Sequence, residues 1–99
     1  MIFVDANYFL RLLAPPATPH DLEMANRSAH LFRQARSGRK QMTTSDAVQA
    51  EVAYILTSPT SYGLPVERTV RLLRTAVEVR GMKAASKTSW LHALTIWEE

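Results

Sequence analysis

Asp5 follows the apolar run Met1-Ile2-Phe3-Val4 and precedes Ala6, Asn7 and a second apolar stretch from Tyr8 to Leu13. A short buried strand that ends in a carboxylate and turns into a helix is where open α/β folds place their chemistry. The same position also suits an Asp that bonds its own backbone as a turn or helix cap. A second carboxylate, Glu51, falls among Val48, Val52, Ile55 and Leu56, which recur at helical spacing. At about 100° per residue it stands roughly 40° from Ile55 on the helical wheel, so its carboxylate leans toward the packed side. A charge so placed needs a partner or a metal, unless it lies at the border of the stripe and reaches solvent.

Basic residues form the other chemical signal. Between Glu23 and Asp46 there are five Lys and Arg and no acid. Arg33, Arg36, Arg39 and Lys40 fall around the Gly38 turn, and Arg68, Arg71 and Arg74 recur at every third position further on. Such residues suit phosphate contacts, whose affinity falls as salt rises, and they also suit a solvated basic surface. The three histidines, His20, His30 and His92, lack the spacing of a ligand pair. No glycine-rich phosphate loop and no Gly-x-Ser-x-Gly elbow occurs.

The elements that must position these residues are legible in outline. Met1 to Val4 reads as a strand, Asn7 to Leu13 as a short helix, and Ala14-Pro15-Pro16-Ala17 as a loop held extended by its prolines. Thr18 as N-cap with Pro19 at the first helical position opens a second helix, whose stripe is Leu22, Ala25, Ala29 and Phe32 and whose end is Gly38. Gln41 to Ser45 reads as a strand, and Asp46 with Gln49 as a capping box for the helix that carries Glu51. The turn-rich segment Thr57 to Pro65 leads to a helix from Val66 to Val79, with Val66, Val70, Leu73 and Val77 inward and the pairs Glu67–Arg71 and Arg74–Glu78 outward. Met82 to Ala85 is a candidate short strand, and the last helix is expected to bury Trp90, Ala93, Leu94 and Trp97. Strands separated by helices imply a parallel sheet.

With 99 residues, 46% hydrophobic and 21% charged, the chain suits one small globular domain with a modest core. It has no cysteine, so a metal would be held by oxygen or imidazole ligands. A net charge of +3 mildly favours an anionic partner. No apolar run approaches a membrane span and no basic leader precedes Ile2, so no membrane association and a cytoplasmic location are expected.

Together, MIFVDANYFLRLL and TTSDAVQAEVAYIL resemble the first strand and helix, and the second strand and following helix, of PIN domains, closest to toxin nucleases of the VapC type. The resemblance runs from end to end and implies an α/β fold of three α/β/α layers with a parallel sheet. It implies that Asp5 and Glu51 bind Mg or Mn and are catalytic, with Asn7 steadying Asp5 or a bound water. It further implies a metal-dependent endoribonuclease with RNA as substrate and a cognate antitoxin protein as inhibitor. Arg33, Arg36, Arg39 and Lys40 are the expected RNA-binding residues. In the family a third acid, and commonly a fourth, follows a helix resembling Trp90 to Trp97. Glu98 and Glu99 belong to the wrong element to replace them. Residues 1–99 therefore resemble a single, incomplete PIN-like domain with its C-terminal part missing, expected to be weakly active or inactive. Its first strand is expected to keep an open apolar edge and to drive homo-oligomer formation. The alternatives are a noncatalytic antitoxin- or RNA-binding α/β module and a self-associating structural fragment.

Overall fold

The amides of Ile2 and Val4 donate to the carbonyls of Gln41 and Thr43 at 3.0 and 2.8 Å, which sets two short segments side by side. These are β1 (Ile2–Phe3) and β2 (Met42–Thr43), parallel, with Ile2 opposite Met42 and Phe3 opposite Thr43. On the far side of β2 the chain returns as a single parallel bridge, Met42 to Met82. It is held by Met42 N–H to Gly81 O at 2.8 Å and Lys83 N–H to Met42 O at 2.7 Å. The strand expected over Met82 to Ala85 is thus reduced to one bridging residue, and β2 lies between β1 and that bridge. In a parallel ladder a strand's amides alternate in direction. With Ile2 and Val4 turned to β2, the backbone of Phe3 faces the open side.

The computed structural model describes residues 1–14 and 16–99, so Pro15 of the expected proline loop lies outside the described residues. Five helices accompany the strands: α1 (Ala6–Leu13), α2 (Pro19–Arg36), α3 (Asp46–Thr57), α4 (Val66–Val77) and α5 (Lys87–Glu98). The result is a mixed α/β architecture, rich in helix, on a minimal parallel sheet. Thr18 caps α2 as expected, its Oγ1 accepting from Asp21 N–H at 3.0 Å. Past the end of α2, Gly38 takes φ +83°, a left-handed conformation that glycine adopts without strain.

α1 packs on α2, α3 and α4, and α4 packs on α3 and α5. The shared core contains Val4, Phe9, Phe32, Met42, Val52, Leu56, Val70 and Met82. Phe9 and Phe32 meet edge to face with ring centroids 5.6 Å apart, a favoured aromatic geometry. Val66, expected inward, is exposed, because α4 turns its first residue past the packed layer. Arg74 reaches across to Glu98 at 3.0 Å rather than along its own helix to Glu78. No helix among the described residues is long and apolar enough to cross a membrane.

Candidate functional site

The register that pairs Ile2 with Met42 carries Asp5 beside Ser45, each the residue at which its strand segment turns into a helix. Both are N-caps. Asp5 Oδ1 accepts from Tyr8 N–H at 3.1 Å, and Ser45 Oγ accepts from Val48 N–H at 3.2 Å. Ser45 therefore takes the capping role expected of Asp46. Its backbone is extended while Asp46 is already helical, and a cap must stand one residue outside the helix. Thr44 ties the two segments together, its buried Oγ1 donating to Val4 O at 2.8 Å. The helices α1 and α3 thus begin side by side at the carboxyl end of the sheet, each presenting unpaired first-turn N–H groups with their partial positive charge.

Asp5 is exposed, and its cap bond occupies one carboxylate oxygen. Glu51 is exposed as well, which corrects the expectation that its carboxylate leans into the packed face. On α3 the buried residues are Val52 and Leu56; Glu51 lies on the outer flank of Ile55 and Val48, where packing has ended. It stands about 9 Å along the helix axis from Ser45 at ~1.5 Å per residue. Neither acid is spent on a cation, since the ion pairs among the described residues are Arg27–Glu23 and Arg74–Glu98. Accessible carboxylates are the oxygen donors a hard divalent ion takes, and Glu51 stands more than one helical turn beyond the start of α3 that adjoins Asp5. Among the described residues no group of three His, Asp or Glu side chains converges as a metal cage. Asn7 is exposed and makes no hydrogen bond to Asp5. It lines a hollow of about 230 Å³ with Asp21, an acid of the first turn of α2, and with Arg11 and Tyr62, which strand and helix patterns did not single out.

The basic residues divide. Arg33 and Arg36 border a hollow of about 390 Å³ whose lining includes Leu12, Leu13, Phe32 and Val79. Arg39 and Lys40 lie on the turn between α2 and β2, at the amino end of the sheet. All four are exposed.

A larger groove, about 590 Å³, opens between α3 and α5. Trp90, Ala93, Leu94 and Trp97 line it together, as their spacing predicts, but only Leu94 is buried. α3 lines it with Asp46, Gln49, Ala50 and Ala53, and the two small alanines do not fill the space two indoles leave. At its mouth Trp90 Nε1 donates to Asp46 Oδ1. No protein-family model, curated protein or solved structure matches the chain.

Proposed function

We propose that the chain is a PIN-like, three-layer α/β/α endoribonuclease of the VapC toxin type that depends on Mg or Mn and acts in the cytoplasm. Its partners are then RNA, a cognate antitoxin and a further copy of itself. The observation that carries this reading is the accessible, unpaired Asp5 carboxylate at the carboxyl end of the parallel strands, beside the start of α3. Asp5 and Glu51 would hold the ion. Its chemistry is to activate a water for in-line attack on a phosphodiester and to neutralise the charge that develops there.

The protein's own contribution is positional. Tyr8 N–H fixes the Asp5 side chain through one oxygen and leaves the other to solvent. The adjoining starts of α1 and α3 favour a phosphate at the same end. Asn7, the second residue of α1, is assigned to hold a water near Asp5. Arg33, Arg36, Arg39 and Lys40 are assigned to RNA.

A second reading, a noncatalytic RNA- or antitoxin-binding module, is favoured by the exposure of Arg33, Arg36, Arg39 and Lys40, none of them in an ion pair among the described residues. Titration with Mn²⁺ separates the two. A saturable site that is lost in both Asp5→Asn and Glu51→Gln, together with RNA cleavage abolished by chelator, supports the nuclease. Unaltered Mn²⁺ binding in either variant removes that residue from the site.

A further inference from the structure

Two turns that are far apart in sequence meet at the amino end of the sheet. Gly81 N–H donates to Ala35 O at 2.8 Å, and Gly38 N–H donates to the same carbonyl at 3.0 Å. A Cβ placed on Gly81 would lie 2.2 Å from Lys40 O, so the backbones of the two turns touch. A Cβ on Gly38 would lie 3.3 Å from Arg80 Nε, so the Arg80 side chain lies across the glycine, whose sequence neighbour is Arg39. Arg39, Lys40 and Arg80 are all exposed, and none forms an ion pair among the described residues. The one acid close by in sequence, Glu78, pairs with no cation either. Lys87, by contrast, is occupied, with Nζ donating to Val79 O and Met82 O.

We infer that Arg39, Lys40 and Arg80 form an anchoring site for the phosphates of single-stranded RNA at the amino end of the sheet, remote from Asp5. The choice of RNA over other polyanions rests on the ribonuclease reading. Three exposed cations borne on two touching turns without counter-charge repel one another, and an anion relieves that repulsion. Arg80 contributes a planar fork for phosphate oxygens, and Gly38 leaves the space in which it lies.

Asp5 sits at the other end. From Lys40 to Ser45, which adjoins Asp5, the chain runs five residues, about 16 Å at ~3.3 Å per residue. A stacked strand advancing ~3.4 Å per nucleotide covers that distance in about five nucleotides. RNA anchored at one end therefore presents a phosphate at the other.

The test is filter binding of a radiolabelled single-stranded dodecamer to the full chain in chelator, over a salt series. Replacing Arg39, Lys40 and Arg80 together by Ala is expected to lower affinity at least tenfold. The slope of log K against log salt should flatten by about 2, at ~0.7 per lost phosphate contact. Circular dichroism confirms that the variant is folded, and replacing the two arginines by Lys should restore the salt slope. Arg27→Ala, which removes an exposed guanidinium already paired with Glu23, should bind as the parent does. An unchanged affinity and slope in the folded triple variant would overturn the inference, as would an equal loss in Arg27→Ala. Displacement of RNA by polyglutamate at a lower charge concentration than by unlabelled RNA would also overturn it, in favour of an acidic protein partner. Because no metal is present, this result and the Mn²⁺ titration can fail independently.

Discussion

At position 81 a methyl group would meet two backbone carbonyls, those of Lys40 and Ala35, at 2.2 and 2.8 Å. Neither carbonyl can swing aside as a side-chain end would, because Ala35 O belongs to the last turn of α2 and Lys40 O to the backbone that leads into β2. Gly81→Ala is therefore expected to destabilise the fold by about 3 kcal/mol, the upper range for overpacking, read as a lower urea midpoint; an unchanged midpoint would show that the turns can separate freely. Glu51→Gln should behave oppositely. The side chain is exposed and unpaired, so stability should change by less than ~0.5 kcal/mol while Mn²⁺ affinity falls. A comparable loss of stability would mean that Glu51 is a packing residue. Thr18 was legible because a cap needs only its own next three residues. The requirement at Gly81 involves Ala35 and Lys40, more than forty positions away, and no local pattern carries it. The outward turn of Glu51 was equally hidden, since the helical wheel gives an angle but not where the neighbouring helix stops.

Helices were readable because each repeats its pattern over several turns. Two strands lie within the spans expected for them, Met1 to Val4 and Gln41 to Ser45, but their length of two residues and their pairing were not readable, because these are set by contacts with Gly81 and Gln41. Asp5 could be placed at a strand end because apolar residues precede it and a helix follows. The last helix shows what periodicity omits. Trp90, Ala93, Leu94 and Trp97 do share a face, yet the small residues opposite leave that face half-covered. α5 is held instead by α4 and by polar ties, Arg74 to Glu98 and Trp90 to Asp46. Trp90→Phe keeps most of the ring and removes the N–H, so a loss of about 1 kcal/mol is expected. Leu94→Ala should cost at least ~2 kcal/mol by opening the α5 contact. Thermal melts followed by circular dichroism check both, and a larger loss for the Phe variant would reverse the assignment of what docks α5.

The whole molecule has a short sheet with one uncovered margin. Among the described residues β1 pairs on one side only, and Met1 and Phe3 are 73% and 56% exposed. An apolar open edge favours pairing with another strand, and a second copy of β1 is its own complement about a two-fold axis. Self-association that grows with concentration is expected in sedimentation experiments, and Phe3→Lys should weaken it, since a charged edge resists pairing. A monomer throughout the micromolar range would contradict this. The same view places Asp5 and the start of α3 at one end and the Arg39–Arg80 cluster at the other. That polarity was invisible in the net charge, which sums what the parallel strands separate.

Both tryptophans of the chain lie on α5, one hydrogen-bonded and half-buried, the other at the rim of the groove. Intrinsic fluorescence excited in the indole band therefore originates from a single helix, and within it from two unlike surroundings. Lifting of α5 would release Trp90 from Asp46 and shift its emission toward that of a solvated indole, while Trp97 would change far less. The protein thus carries its own optical probe for the attachment of one element, readable without a label and separable from the melting of the rest.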